Sequence, residues 1–268
     1  MSPSPRSSRR LAMVVLAGFV ALVAAACGSS SGGTDTSPSA SGTGLSGDVT
    51  VSAASSLTDV FTQLGDQFMS DHPGVKVTFN FASSSDLAEQ IVQGAPADVF
   101  ASASDSTMQT VVDAGDASRP TTFASNSLEI ATPPSNSAHV SSLSDLASPD
   151  VSVAVCTPEA PCGAATQALF DENTLDVTPV TQEPDVRSVL TKVTSDEVDA
   201  GVVYVTDVQA AGADVHGVPI PAAKNVSTNY LIAPVSGSTN QASANAFVAF
   251  VLSPTGQHAL EQAGFAQP

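Results

Sequence analysis

Residues 80–94 read NFASSSDLAEQIVQG, and the fold turns on how this stretch divides. Leu87, Ala88, Ile91 and Val92 recur at helical spacing, and Gly94 follows where a helix should stop. Before them, KVTFNFAS at 76–83 alternates apolar and polar residues as a strand does. Between strand and helix stand three serines, Ser83, Ser84 and Ser85. One hydroxyl is enough to cap a helix, so the other two invite a second role.

The same unit recurs on both sides. DVTVSAAS at 48–55 reads as a strand, followed by a helical stripe of Leu57, Val60, Phe61, Leu64 and Phe68 that ends at HPG, 72–74. ADVFASAS at 97–104 is a third strand, after the turn GAP. Further on, VSVAVC (151–156) precedes a helix in AATQALFDEN, and VTPVTQ (177–182) precedes one bearing Val186, Val189, Leu190 and Val193. AGVVYV (200–205) leads into the short helix TDVQAAG, and residues 240–264 read as two helices broken at Pro254. Strands alternating with helices predict an α/β fold with mostly parallel sheets.

The joints between strand and helix carry Ser55 and Ser56, the three serines, Cys162 and Gly163, Pro184 to Val186, and Tyr204 to Thr206. Helix starts leave N–H groups unpaired and carry partial positive charge. In open parallel sheets, ligands lie beyond the carboxyl ends of strands, where these joints fall. Several such starts converging would form a cavity of N–H and O–H donors without any formal cation, suited to an oxyanion.

Charge narrows the partners. The chain carries −18, and residues 28–268 hold five basic against 26 acidic residues, or −21. That excludes nucleic acid and anionic membrane surfaces as partners of the fold. The front of the chain reads as an export signal over 1–27: Arg6, Arg9 and Arg10, then an uncharged apolar run from Leu11 to Val23, then small residues up to Cys27. AAAC at 24–27 resembles a lipoprotein signal, in which the cysteine becomes the lipidated N-terminus; that pattern usually has leucine where Ala24 stands. Residues 28–47 are serine- and glycine-rich and predict a flexible tether with a reach of roughly 25 Å. With Cys27 acylated, Cys156 and Cys162 remain, either as a disulfide or as two free thiols.

AASSLTDVF, FASSSDLAEQIVQGAPADVFASAS, VAVCTPEAPCG, DVRSVLTKV and DAGVVYVTDV occur in that order. As a set they resemble the molybdate-binding proteins of bacterial ABC importers, from about residue 48 to the C-terminus. The resemblance implies a two-lobed type II periplasmic-binding-protein fold, each lobe a mostly parallel sheet flanked by helices. Lobe one would be 48–128 plus 231–268, and lobe two 129–230, with crossovers in SLEIATPP and NYLIAPV. It implies a molybdate or tungstate ligand held by hydrogen bonds alone: Ser56 and Ser84 through hydroxyl and N–H, Cys162 and Val186 through N–H, Tyr204 through its phenol. Better-known members have alanine where Cys162 stands. A Cys156–Cys162 bond would stiffen that loop and pre-aim the N–H. The resemblance further implies a monomeric, non-enzymatic protein, anchored by lipid to the outer face of the cytoplasmic membrane, that delivers its anion to permease subunits. It needs no cofactor and no metal cation.

Three other readings are weaker. A serine hydrolase would use the exposed joint serines, but there is no G-x-S-x-G, and His72, His139, His216 and His258 are all remote from the joints in sequence. A cation-binding protein would need acids at calcium-loop spacing, whereas here they are spread singly. Sulfate, phosphate or another oxyanion would keep the class and change the ligand; a protonated phosphate would need an acceptor that the donor set lacks.

Overall fold

The computed structural model describes residues 44–268. The expected signal over 1–27, lipidation at Cys27 and most of the tether lie outside the described residues. The last of the tether segment is built into the fold. Gly47 opens the first strand and donates its N–H to Gly74 O, while the Ser243 hydroxyl donates to Ser46 O.

Among the described residues, nine strands form one continuous hydrogen-bonded system. They are β1 (Gly47–Ala54), β2 (Val75–Ala82), β3 (Val99–Ser102), β4 (Thr121–Thr132), β5 (Val153–Cys156), β6 (Thr181–Glu183), β7 (Ala200–Tyr204), β8 (His216–Pro219) and β9 (Ser227–Pro234). The order is β2-β1-β3-β9-β4-β7-β5-β6, with β8 also on β4. The pairs of β1 with β2 and β3, and of β5 with β6 and β7, are parallel. Every antiparallel pair involves β4 or β9.

Those two strands join the lobes. β4 pairs with β9 as far as Ser127 opposite Ser227, then from Leu128 onward pairs with β7, starting opposite Tyr204, and with β8. One twelve-residue strand thus leaves one sheet and enters the other. Asn225 ties the crossing: its Oδ1 accepts the Leu128 N–H at 3.2 Å and its Nδ2 donates to Leu128 O at 2.7 Å.

Among the described residues, eight α-helices cover the sheets: α1 (Thr58–Asp71), α2 (Ser84–Val92), α3 (Asp105–Asp113), α4 (Pro161–Glu172), α5 (Val186–Thr194), α6 (Val205–Ala211), α7 (Gln241–Val251) and α8 (Pro254–Gln262). In lobe one, α1, α7 and α8 pack on one face through an aromatic core that includes Phe61, Phe68, Phe123 and Phe247. α2 and α3 close the other face with Leu87, Ile91, Met108 and Val111. Lobe two has an aliphatic core in which Leu169 of α4 and Val189, Leu190 and Val193 of α5 pack against β5 and β7.

Several elements differ from expectation. α3 and β8 lack a clear periodic signal in the sequence. VTPVTQ contributes only its last two residues to β6, because Pro179 has no N–H for a ladder. Among the described residues, no helix is long and apolar enough to cross a membrane.

Candidate functional site

The strand-to-helix joints of both lobes meet at one narrow cavity. It is walled by residues 54–56, 82–84 and 103 on one side and by Pro161, Cys162, Asp185, Val186 and Tyr204 on the other. The volume swept by the centre of a water molecule is about 10 Å³, close to the room of a single water and too small for any extended ligand. All five residues singled out in the sequence, Ser56, Ser84, Cys162, Val186 and Tyr204, line it. No lysine, arginine or histidine does.

Each joint presents donors for a local reason. β1 ends at Ala54 and a single 3-10 turn, Ser55–Leu57, carries the chain into α1, burying both serines at the cavity wall. The Ser56 hydroxyl lies 2.8 Å from that of Tyr230. At the second joint the three serines divide their work. Ser83 holds the N-cap position of α2, yet makes no side-chain cap; its hydroxyl pairs with that of Ser85 at 2.8 Å. The expected serine cap is therefore absent. Ser84 Oγ accepts the Ala103 N–H at 3.0 Å, leaving its own proton free for another acceptor.

In lobe two, Pro161 occupies the first turn of α4 and has no N–H to give, and no side chain caps this helix. The first free helical donor is then that of Cys162. Cys162 is bonded to Cys156, which ends β5. Gly163 lets the helix start lie against the 157–161 loop: a Cβ there would fall 1.9 Å from Thr157 O. At α5, Asp185 is the N-cap and its Oδ1 accepts the N–H groups of Arg187 and Ser188, at 2.8 and 3.1 Å. Val186, one residue earlier, is not among its partners. Asp185, which the sequence places at this joint without a role, is an acid in the cavity wall. Its second oxygen accepts the Ser188 hydroxyl at 3.1 Å, so the carboxylate is committed to its own helix.

Tyr204 ends β7 and is 1% exposed. Its hydroxyl is buried and makes no hydrogen bond of full geometry among the described residues, though the Thr228 and Tyr230 hydroxyls lie near enough to interact with it. A buried, unpaired hydroxyl at a cavity wall is a costly feature unless a guest satisfies it. Burial drives the Tyr204 phenol pKa far up, and that of Tyr230 likewise, so both remain protonated donors. Tyr230, from β9, stands behind the cavity residue Ser56, and the sequence reading did not single it out. Behind Tyr204, Asp207 of α6 accepts the Tyr204 N–H at 3.1 Å and is fully buried; desolvation lifts its pKa to about 7.

The arrangement can bind an anion with neutral dipoles but offers no hydrolytic apparatus: the joint serines have no imidazole beside them in the cavity. Among the described residues, no group of three or more His, Cys, Asp or Glu is placed to hold a metal ion.

Comparison with known proteins places this geometry in context. Residues 49–266 match the family described as bacterial extracellular solute-binding protein. The chain is 41% identical over 263 residues, 98% of each chain, to the molybdate-binding protein of Mycobacterium tuberculosis. Among solved structures, the periplasmic molybdate-binding protein of Azotobacter vinelandii superposes with a TM-score of 0.72 at 22% identity, over 82% of this chain and 99% of that one. The sulfate-binding protein of Mycobacterium tuberculosis superposes with a TM-score of 0.73 at 19% identity, over 82% and 86%; the fold is thus common to proteins named for different anions. With the match running through both lobes and every joint of the cavity, the chain belongs to the bacterial extracellular solute-binding proteins.

Proposed function

We propose that this protein is the extracytoplasmic molybdate-binding component of an ABC importer and hands its anion to membrane permease subunits without chemical change. The observation that carries the reading is a cavity lined from both lobes by hydroxyls and helix-start N–H groups, with no cation in its wall. The relative named for molybdate, matched along 98% of the chain, supports the choice of anion. Ser56, Ser84, Cys162, Val186 and Tyr204 are the ligand-binding set, and tungstate is bound as well. Cys27 carries the lipid, residues 28–47 are the tether after a signal at 1–27, and the protein acts as a monomer. The lobes divide as 48–128 plus 231–268 and 129–230.

The energetics are adequate. Hydrogen bonds to a charged group contribute about 1.5–3 kcal/mol each. About seven give on the order of 10–20 kcal/mol before association and ordering costs of several kcal/mol. The remainder corresponds to micromolar or tighter binding, about 8 kcal/mol or more. A protonated anion finds few acceptors, because three of the roughly four acceptor positions of Asp185, the carboxylate in the wall, are already taken within its own helix.

Calorimetric titration with molybdate, tungstate and sulfate tests the reading. Molybdate and tungstate should bind at least a hundredfold more tightly than sulfate; equal affinity for sulfate would defeat the assignment. Ser84→Ala removes one charge-assisted bond and should weaken molybdate by roughly 10- to 100-fold. Unchanged affinity there would remove Ser84 from the site.

A further inference from the structure

Arg187 adjoins the cavity residue Val186, yet its side chain is not in the cavity wall. Its guanidinium lies 2.9 Å from Asp59 Oδ2 on α1, in lobe one, and 3.9 Å from Asp207 Oδ1 on α6, in lobe two. The two carboxylates differ sharply. Asp59 has a 59% exposed side chain; Asp207 has none of its side chain exposed, and its Oδ1 has no hydrogen-bond partner among the described residues. The other oxygen of Asp207 holds the Tyr204 backbone N–H. The bridge to Asp59 thus ends on a residue that also shields the buried acid behind a site tyrosine; two further bonds cross between the lobes at α6, from Gln209 Nε2 to Gln262 O at 2.6 Å and from Asn126 Nδ2 to the Thr206 hydroxyl at 2.8 Å.

We propose that Arg187 is a positioning residue acting as an interlobe clasp: its bridge to Asp59 favours the closed cleft, while its charge stabilises Asp207 as the anchor of Tyr204. The inference rests on the molybdate reading. Opening the lobes separates Arg187 from Asp59 and leaves Asp207 as its remaining partner. Closure therefore exchanges a hydrated carboxylate for a bridged one, a contribution expected to be modest at this exposure. Removing Arg187 also takes from Asp207 its nearest cation, so the buried acid holds its proton more tightly.

The charged and titratable groups around Asp207 are Arg187 and Asp185 at α5, Asp59 on α1, and the Tyr204 and Tyr230 phenols. Arg187 lowers the Asp207 pKa, whereas burial, Asp59 and Asp185 raise it. A charged Asp207 repels a dianion held at Tyr204. Molybdate affinity in the native protein should then decline as pH rises through about 7. Without Arg187, the acid keeps its proton to higher pH and the inflection moves upward.

Calorimetry across pH 5.5–9 on the native protein, Arg187→Gln, Asp59→Asn and the double variant decides the matter. Arg187→Gln should weaken molybdate by roughly threefold at pH 5.5, where Asp207 is protonated in both proteins, and shift the inflection upward. Asp59→Asn, at an exposed position that does not threaten folding, should weaken it by roughly threefold with no upward shift. The double variant should be no weaker than Arg187→Gln, since both remove the same bridge. Affinities within twofold of native in both single variants, or additive losses in the double, overturn the clasp. Should the native protein bind none of the three anions, the functional reading fails, and small-angle scattering of the unliganded proteins still decides: the clasp requires a larger radius of gyration in Arg187→Gln, and equal radii refute it.

Discussion

Ser84 shows how a hydroxyl is aimed. Its oxygen accepts the Ala103 N–H arriving from the end of β3, so the proton is left for an acceptor in the cavity. Ser56 is aimed differently. It shares a hydrogen bond with the Tyr230 hydroxyl in which either oxygen can donate. With an anion present, Ser56 donates to the anion and Tyr230 donates to Ser56, a chain in which each bond strengthens the next. Tyr230→Phe isolates that second bond. The ring stays packed edge-on against Phe123, Tyr204 and Phe265, with centroids 6.2, 6.1 and 5.2 Å away. Molybdate affinity should fall by roughly three- to tenfold, read by calorimetry; an unaltered Kd would mean that Ser56 orients itself. Ser56 and Ser84 are legible in the sequence because each sits where a strand pattern becomes a helix pattern. Tyr230 is not, because it reaches Ser56 from 174 residues away in a strand whose alternation says nothing of its target.

At the scale of the element, the start of α4 is the most constrained joint. Pro161 sets the first turn, Gly163 admits Thr157 O, and the disulfide ties the helix back to β5. Cys162 therefore has two separable duties: a cross-link through sulfur and a donor through its backbone. Replacing Cys156 and Cys162 together by alanine removes the first and keeps the second. Closing so short a loop restricts the unfolded chain by about 2 kcal/mol on the chain-entropy account. The double variant should melt roughly 4–8 °C lower, seen by scanning calorimetry, while saturated molybdate binding survives with a loss of no more than about fivefold. Complete loss of binding would show that the cross-link, and not the proline and glycine, holds the N–H in place. Elements with a strong period, such as α1, α2, α5 and β1, could be read directly from the chain. β4 could not be read whole, because its twelve residues serve two sheets with different neighbours and so follow no single pattern of burial. β8 pairs along β4 in lobe two, a neighbour its own four residues do not announce.

The whole molecule opposes its own ligand at a distance and attracts it only on contact. Residues 28–268 hold 26 acids against five bases, and two of those bases, Arg187 and Lys192, are paired with carboxylates. A dianion approaching the cleft crosses a repulsive field that extends about 30 Å at 0.01 M salt and about 8 Å at 0.15 M. Once inside, it meets buried neutral donors, which bulk salt barely screens. The two regimes separate kinetically. Association, governed by the long-range field, should quicken several-fold between 0.01 and 0.15 M sodium chloride, while dissociation changes by less than about twofold. Affinity should therefore rise with salt, the reverse of a lysine- or arginine-lined anion site. The chain has its own reporter: it contains no tryptophan and two tyrosines, Tyr204 in the cavity wall and Tyr230 one hydrogen bond behind Ser56. Stopped-flow tyrosine fluorescence can thus follow the event at the site itself. An association rate that falls as salt is added would mean that a local cation captures the anion, and the neutral-donor account of binding would have to be abandoned.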